Sequence, residues 1–391
     1  MSEEAAIRLV RGVAGIDAAA WDAVAPAGNP FVRHGYLEAL EASGSAVPDT
    51  GWAAVPVVLG EATAPAGIVP AYVKSHSQGE YVFDHGWAHA YENAGGRYYP
   101  KLQVAVPFTP VTGPRLLAAD EVDKRRLIRG LVATAAQLDV SSVHATFCTP
   151  EEARLFTEEG WAVRYGVQYH WSDRGFGDFD GFLAALKSNK RKAIKKERRK
   201  VQDGALDIRV RRGREITPAE MDAFYPFYRA TIDKRIWGNA YLRRDFFRLL
   251  AERLGDALVL TLAYDGERCV AGAMHLVGGD TLYGRLWGSL EEYKFLHFEL
   301  CYYQAIELAL AWGLTHVEAG AQGEHKLQRG YAPTLTYSAH YIRDPGLRTP
   351  VEQFLARERR QVEQEIPMLE DYLPYRRAGE ERTLPAERPS G

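Results

Sequence analysis

The chain has 391 residues, of which 46% are hydrophobic and 25% are charged, and its formal net charge is −3. This length predicts two domains, and the slightly negative charge provides no overall attraction to nucleic acid. Its three cysteines, Cys148, Cys269 and Cys301, are widely spaced without a CxxC pair, which argues against a disulfide framework and a zinc–cysteine site. The first residues include acids where a signal peptide carries basic residues, and no window is apolar enough to span a membrane. We therefore expect a cytoplasmic protein without a membrane span.

Residues 7–167 show the pattern of a mixed α/β structure. The expected elements are strands at 52–60 and 66–75 and helices at 18–24, 35–42 and 120–138. Another helix is expected after Thr149, because Thr149 and Glu152 form a capping-box pattern. The aromatic stretches 81–91 and 98–115 are expected to contain no helix, since glycine and proline are frequent there. A similar series of elements follows residue 170.

The second half opens with a strongly basic segment at residues 187–200, in which Glu197 is the only acidic residue. Apolar residues such as Ile194 give it a partial helix face, and its cations include Lys190, Arg191 and Lys195. Like charges four residues apart destabilise a helix, and an anionic partner would relieve that repulsion. Such a partner is a tRNA backbone, a nucleotide pyrophosphate or a membrane surface. The alternative is a helix whose charged face is simply solvated.

A loop between two expected helices carries Lys234, Arg235 and Trp237. An indole beside two cations could hold a substrate. A tryptophan at an internal interface with solvated neighbours would give the same pattern. The sequence leaves both interpretations open.

Residues 279–340 contain a dense polar cluster beside segments with the apolar pattern of helices and strands. The apolar spacing of residues 295–312 predicts a helix ended by Gly313, and a short strand follows at 316–319. With the strand-like run 281–287 before it, this order predicts a parallel pair of strands joined by a right-handed crossover. The polar segment 322–331 comes directly after the second strand, where open α/β sheets bind their ligands.

These residues resemble a known family. The strings GEHKLQRGY, LYGRLWG, FLHFELCYYQAIELA and TYSAHYI are similar to the FemAB-like branch of the GNAT acyltransferase superfamily, whose members are often labelled peptidoglycan biosynthesis or recognition proteins. The similarity includes FVRHGYLEALEASG, YVFDHGWAHAY, YYPKLQVAVPFTPVTGPRLL and LKSNKRKAIKKERRKV. It therefore covers nearly the whole chain.

The resemblance implies an α/β fold of two tandem GNAT-like domains, each a mixed central sheet flanked by helices. The expected division is an N-terminal domain at residues 1–168, a C-terminal domain at 169–345, a C-terminal helix at 346–375 and a polar tail at 376–391. The implied activity is transfer of an acyl or aminoacyl group to an amine.

Amide formation requires a base that keeps the amine neutral and hydrogen-bond donors for the oxyanion. In GNAT domains, the hydrogen-bond donor for the oxyanion is a backbone N–H at the point where two central parallel strands separate. The resemblance places this point near residues 286–288. The acyl arm would then run between 284–288 and 318–321. The candidate bases are Glu318, His325, Glu324 and His340, since a histidine titrates near neutral pH and burial raises the pKa of a carboxyl group. No single base is favoured, and relay through solvent or the substrate is an alternative.

Other polar residues are candidates for binding the two substrates. Lys326 and Arg329 lie three residues apart, as cations directed at a phosphate would in a helical turn. Gly330, Arg285 and the cations of the basic segment are included with them as donor-binding candidates. The candidates for the acceptor are Asp84, His85, Trp87, Trp237 and Tyr337. A buried structural Asp–His pair would give the same pattern at residues 84–85.

The segment 289–297 departs from the usual acyl-CoA pattern. Typical acetyl-CoA enzymes have a glycine-rich loop there, whereas this chain has no glycine in that segment and two acids, Glu291 and Glu292. This difference and the basic segment favour an aminoacyl-tRNA donor over acyl-CoA. The acceptor is expected to be a peptide-like or small-molecule amine. We expect no bound cofactor and no metal, because the histidines lack ligand spacing. The alternatives are an acyl-CoA-dependent GNAT and an inactive module that binds nucleic acid or a cell-wall precursor.

Overall fold

The computed structural model describes residues 6–204, 206–234, 239–320 and 323–376. Its strands are β1 (Ile7–Leu9), β2 (Trp52–Ala54), β3 (Val57–Glu61), β4 (Ala64–Val69), β5 (Ala71–Lys74), β6 (Lys101–Val104), β7 (Leu117–Ala118), β8 (Ser142–Cys148), β9 (Ala162–Ser172), β10 (Leu206–Arg212), β11 (Leu258–Asp265), β12 (Arg268–Gly278), β13 (Thr281–Ser289), β14 (His316–Glu318) and β15 (Ala332–Ile342).

Helices flank these strands. They are α1 (Ala18–Val24), α2 (His34–Ala42), α3 (His85–Asn93), α4 (Glu121–Gln137), α5 (Pro150–Glu158), α6 (Phe179–Ala185), α7 (Ser188–Gln202), α8 (Pro218–Asp233), α9 (Arg244–Leu254), α10 (Leu296–Phe298), α11 (Gln304–Ala311) and α12 (Pro345–Glu370). A π-helical turn, Glu299–Tyr303, joins α10 to α11, and a 3₁₀ helix, Glu324–Arg329, follows β14. Within the described ranges, none of the helices combines the length and apolarity that crossing a membrane requires.

Two sheets are formed by the described residues. One has four strands in the order β1-β3-β4-β7, and the other has eleven in the order β10-β11-β12-β13-β14-β9-β15-β8-β6-β5-β2. Pairs β6–β8 and β13–β14 are parallel. The order β11-β12-β13, helix, β14, 3₁₀ helix, β15 is the order predicted from the sequence. The predicted fold class, α/β with mixed sheets flanked by helices, is confirmed.

The last strand of each half pairs with the other half. Strand β9 follows the N-terminal elements in the chain, yet it pairs with β14 through His316↔Ser172. Strand β15 comes from the C-terminal half and pairs with β8 through Ala339↔Ala145. The two exchanged strands pair with each other over most of their lengths, so the large sheet continues across both halves. The division predicted between residues 168 and 169 falls inside β9 and stays a prediction about folding units.

Strand β13 continues where its parallel neighbour stops. The β13–β14 register ends at Tyr283↔Glu318, whereas β13 continues to Ser289. The register between β12 and β13 shifts so that Met274 faces Leu286 while the next residue faces Gly284. Arg285 is therefore the extra residue of a β-bulge, which bends a strand and redirects its side chains. The bulge lies at the edge that β14 leaves open.

The structure corrects one prediction about the N-terminal half. Residues 81–91 were expected to contain no helix, but α3 begins at His85. Within the stretches 81–91 and 98–115, the prolines all lie at or beyond Pro100, so they do not interrupt α3. The helix predicted at 295–312 is confirmed, with a π-helical turn inside it. Gly313 adopts the expected left-handed conformation after it, at φ 68°.

Replacing Trp171 tests how much the packing of β9 against the C-terminal half contributes to stability. Trp171 is 0% exposed and packs in the hydrophobic core beneath α6 and α11 of the C-terminal half. We expect Trp171→Ala to lower the free energy of unfolding by about 3–5 kcal/mol, as large-to-small core substitutions do. Urea denaturation followed by circular dichroism measures the change. Tyr372→Ala is the matched control because Tyr372 is 65% exposed, and we expect at most about 0.5 kcal/mol. Equal effects of the two variants would contradict this packing role.

Candidate active site

Glu318 is the last residue of β14 and lies at the open edge of β13. Its cross-strand neighbours are Tyr283 on β13 and His170 on β9, and such neighbours project from the same face of a sheet. Burial raises the pKa of Glu318 to about 8, although Arg285 acts to lower it. Its carboxylate accepts no hydrogen bond from the described residues, yet 14% of the side chain remains exposed. Within the described ranges, the site therefore holds a carboxyl group that accepts no hydrogen bond and whose pKa is raised by burial.

His170 lies beside this carboxyl group. Its Nδ1 is 3.9 Å from Glu318 Oε1, and its Nε2 is 3.1 Å from Gln168 Oε1. Gln168 Nε2 donates to Pro110 O at 2.8 Å, so a loop of the N-terminal half connects to the ring through Gln168. Burial, and then the charge of Lys326, lower the pKa of His170 to about 3. His170 is therefore neutral at physiological pH.

Arg285 brings the same N-terminal loop against the site. Its Nη2 donates to Phe108 O at 2.8 Å and lies 3.3 Å from Thr109 Oγ1. Its guanidinium carbon is 5.7 Å from the centre of the Phe31 ring. Its Nε is buried without a hydrogen-bond partner among the described groups. The bulge thus places a cation between the two halves, close enough to influence Glu318.

Lys326 is buried behind the end of β14. The side chain is on the 3₁₀ helix, only 1% of the residue is exposed, and Nζ donates to Gly320 O at 2.6 Å. Burial lowers the pKa of Lys326 to about 8. Its ammonium fixes the turn that follows Glu318.

Arg329 is an internal ion-pair partner in this structure. It donates to both carboxylate oxygens of Glu197 at 3.0 and 3.1 Å, and to Tyr303 Oη at 2.9 Å. Its guanidinium lies 3.5 Å from the centre of the Phe298 ring. Gly330 follows in the left-handed conformation, at φ 89°. These contacts attach α7 to the 3₁₀ helix, so neither Arg329 nor Lys326 presents a free cation to solvent.

The other predicted bases lie apart from Glu318 or at the surface. His325 Nε2 is 2.8 Å from Tyr302 Oη, on the helical side of the sheet. Burial, and then Arg329 and Lys326, lower the pKa of His325. Glu324 is exposed. His340 is buried in the N-terminal half, where its Nδ1 is 2.7 Å from His144 Nδ1.

Helix α7 carries the predicted basic surface. Ile194 and Val201 are buried on its inner side. Arg198 is also held there, donating to Glu299 at 2.9 Å and to Glu307 at 2.6 Å. Exposed cations without an ion pair among the described residues are Lys192, Lys196, Arg199 and Lys200. Lys190 and Arg191, in the first turn, are partly exposed. One face of α7 is therefore fixed by carboxylates and the other is positively charged.

A groove of about 440 Å³ opens between α6, α7 and α11. Its cations are Lys195, Arg198 and Arg199, and its acids include Asp178 and Asp180. Lys195 Nζ is 3.7 Å from Asp180 Oδ1, and both side chains are mostly exposed. The groove is thus mixed in charge.

The predicted acceptor residues do not come together. Asp84 is buried against Lys101, which also donates to Glu80 at 2.7 Å. Burial acts to raise the pKa of Asp84, but the charges of Lys101 and His144 and the hydrogen bonds of Lys101 and Ser77 together outweigh it and lower the pKa. His85 is exposed and does not pair with Asp84, so the ion-pair partner of Asp84 is a lysine instead of the adjacent histidine.

Two of the aromatic candidates pack against other rings. Trp87 packs edge-on against His340, with ring centres 5.0 Å apart. Tyr337 packs against Tyr165 at 5.2 Å. Trp237 lies outside the described residues.

Sequence reasoning missed His170 and Gln168. The signal present was a polar residue at every second position of a strand, Gln168 and His170, which places both side chains on one face. Their proximity to Glu318 depends on the pairing of β9 with β14, which lie far apart in sequence. No group of three or more His, Cys, Asp or Glu within the described ranges is arranged to hold a metal ion.

Comparison with known proteins identifies the family. The sequence profile of the FemAB-like family, described as peptidoglycan biosynthesis/recognition, matches residues 12–377. The chain belongs to this family. Membership of the FemAB-like family indicates an acyltransferase, and it confirms the resemblance seen in the sequence motifs.

Two solved structures show the same fold as this FemAB-like chain. The crystal structure of FemX matches with a TM-score of 0.55 and 12% identity, over 86% of this chain and 98% of that one. A conserved protein of unknown function from Bacteroides thetaiotaomicron VPI-5482 matches with a TM-score of 0.50 and 12% identity, over 86% and 99% of the respective chains. The structure of L-PGS from Bacillus licheniformis matches with a lower TM-score of 0.47 and 12% identity, over 73% of this chain and 84% of that one. No curated protein matches the sequence.

The raised pKa of Glu318 predicts that this side chain costs the FemAB-like fold stability. Stability from the protonated carboxyl group is complete below the ordinary pKa of 4.5 and is lost as the pH rises towards about 8. Glu318→Gln removes the ionisation, so we expect the free energy of unfolding at alkaline pH to rise by about 1–3 kcal/mol. Urea denaturation at acidic and alkaline pH measures the gain, which should disappear in acid. Glu324→Gln, at an exposed position, should change little. A decrease in the stability of Glu318→Gln at alkaline pH would show that the carboxylate is paired.

Proposed function

We propose that this chain transfers an aminoacyl group from aminoacyl-tRNA to the amine of a peptide-like or small-molecule acceptor, forming an amide. Family membership supports acyl transfer in general. The observation that carries the proposal is the unpaired Glu318 carboxyl group, with a pKa of about 8, at the open edge of β13. The donor and the acceptor are parts of the proposal.

Glu318 is the proposed general base. An amine is protonated at neutral pH and has to lose a proton before its lone pair can attack a carbonyl carbon. A base is most effective when its pKa lies near the working pH, and burial brings Glu318 into that range. Arg285 supports the role because its charge stabilises the carboxylate form.

The open edge of β13 is the proposed oxyanion site. Residues 284–289 pair with β12 on one side, but β14 ends before reaching them on the other. Alternate backbone N–H groups of such an edge strand point away from its paired neighbour. Fixed N–H donors of this kind stabilise a developing oxyanion without reorganisation. Lys326 lies close by and donates a hydrogen bond to Gly320 O, two residues after Glu318.

The outer face of α7 is the proposed tRNA contact. Lys192, Lys196 and Lys200 recur every four residues and are exposed, so they form a row suited to a phosphate backbone. Glu197 and Arg198 fix the opposite side of the helix to the elements behind the site. The segment 289–295 lacks the glycine loop of acyl-CoA enzymes, which supports tRNA over acyl-CoA.

Donor dependence tests the proposed function. Purified protein is incubated with a mixed charged-tRNA pool or a panel of acyl-CoAs, and labelled transfer to amine acceptors is scored with and without RNase. We expect transfer from charged tRNA that RNase abolishes. Transfer from acyl-CoA that is insensitive to RNase would show that acyl-CoA, and not aminoacyl-tRNA, is the donor. Absence of transfer from both donors would favour a binding module.

The lysine row predicts a charge-specific weakening of tRNA binding. We expect Lys192→Gln with Lys196→Gln and Lys200→Gln to weaken binding and to reduce the slope of log K against log salt by about one for each lysine–phosphate interaction that is removed. Filter binding of charged tRNA over a range of salt concentrations measures both effects.

A matched control removes the same number of charges elsewhere. Arg11→Gln with Arg129→Gln and Arg248→Gln changes exposed residues away from α7 and should leave the slope unchanged. An equal weakening in both variants would mean that total charge, and not α7, sets binding.

Glu318 predicts the pH dependence of transfer. Because the carboxylate is the active form, kcat/KM should rise with pH and level off above about 8, the pKa of Glu318. Glu318→Gln should lower kcat/KM by about 10²–10⁴, the usual contribution of a general base, and should abolish the rise. Initial rates over a pH series measure both, with Glu324→Gln as the control. An unchanged pH profile in Glu318→Gln would exclude it as the base.

A further inference from the structure

The hydrogen bonds of Gln168 determine which nitrogen of His170 carries the proton. The side-chain atom 2.8 Å from Pro110 O is Nε2, and it has to be the NH₂ group, because a carbonyl oxygen cannot donate to another carbonyl. Gln168 Oε1 therefore faces His170 Nε2 at 3.1 Å and accepts a hydrogen bond from it. The proton of the neutral ring is on Nε2, and Nδ1 is a free acceptor.

This acceptor faces a second acceptor. His170 Nδ1 and Glu318 Oε1 are 3.9 Å apart, which exceeds the roughly 2.7–3.2 Å of a hydrogen bond. Neither atom has a hydrogen-bond partner among the described residues, and the two side chains are 12% and 14% exposed. Two unpaired acceptors that are so close together and still reachable match a ligand group with at least two hydrogens.

The surrounding groups preserve this arrangement. From β13, Arg285 and Tyr283 face Glu318. The charges of Lys326 and His316 act on His170 and oppose its protonation. A neutral His170 therefore remains an acceptor while Glu318 gains or loses its proton.

We propose that Glu318 and His170 together hold the acceptor's amine, and that His170 makes the site select amines over hydroxyl groups. The inference rests on the proposed function. If an amine nitrogen lies about 2.9 Å from both Nδ1 and Oε1, the angle between the two acceptors at the nitrogen is roughly 85°. Two N–H bonds of one amine can donate to acceptors at this angle. A hydroxyl group has one hydrogen and leaves one buried acceptor unpaired, which is how a polar site rejects an analogue.

The reaction balances through Glu318. The ammonium group gives one proton to the Glu318 carboxylate and becomes a neutral amine. One N–H of this amine stays hydrogen-bonded to His170 Nδ1, and its lone pair attacks the carbonyl carbon of the donor ester. The C–N bond forms, and the ester C–O bond to the donor breaks. The proton on Glu318 passes to the leaving oxygen, and the nitrogen gives its second proton to Glu318. The products are an amide with one N–H, a free hydroxyl on the donor and a protonated Glu318, which returns its proton to water.

Nitrogen NMR of ¹⁵N-histidine-labelled full-length protein tests this without any acyl donor. His170→Asn identifies the His170 resonances. We expect protonated Nε2 and unprotonated Nδ1 across neutral pH. Titration with n-butylamine should shift the Nδ1 resonance, whereas n-butanol should shift it much less. A protonated Nδ1, or equal responses to the two probes, would overturn the proposal.

Kinetics provide a second readout. His170→Leu should raise KM for the amine about tenfold, as expected for the removal of one hydrogen bond, and should narrow the preference for amine over hydroxyl acceptors. His170→Asn keeps an acceptor near the position of Nδ1 and should restore much of the preference. His89→Asn, at an exposed histidine of α3, is the matched control. An unchanged preference in His170→Leu would refute the proposal even if acyl transfer is confirmed. Failure of transfer in the wild type would refute the proposed function and leave the NMR result intact.

Discussion

The early end of β14 beside a continuing β13 is the constraint on which the site depends. Backbone groups of a sheet interior pair with strands on both sides, but among the described strands residues 284–289 pair with β12 alone. The Trp287 carbonyl in this segment accepts a hydrogen bond from Thr231 Oγ1 of α8. The same ending places Glu318 at the opening and buries it between two strands. The geometry therefore supplies both backbone donors and a carboxyl group whose pKa is raised by burial. A longer β14 would remove both features at once.

The buried surroundings of Glu318 and the outer face of α7 differ in charge. Around Glu318, burial favours the neutral forms: the pKa of His170 falls to about 3 and that of Lys326 to about 8. Behind it, Arg329 and Arg198 are paired with carboxylates and serve to join helices. Exposed positive charge is left on the outer face of α7. The chain thus separates a buried candidate site from an exposed, positively charged surface.

The order of elements could be predicted because it follows local patterns: alternation in the meander, helical spacing at 295–312 and glycine at the helix end. Glu318 could be included among the candidates because it ends a buried strand. His170 and Gln168 could not, since their contact with Glu318 depends on pairing between distant strands. The sequence suggests that Asp84 pairs with the adjacent His85, whereas its ion-pair partner is Lys101 of β6. Local sequence predicts elements, and long-range pairing determines which side chains meet.

The exchange of β9 and β15 has a consequence for synthesis. The N-terminal half cannot complete its sheet until Ala332–Ile342 has left the ribosome, because β15 is the strand that lies between β8 and β9. Until then the edge of β8, whose residues are all buried in the finished protein, has no partner on that side. An unpaired apolar edge is prone to association with other chains. Most of this polypeptide therefore has to be made before either half can finish folding.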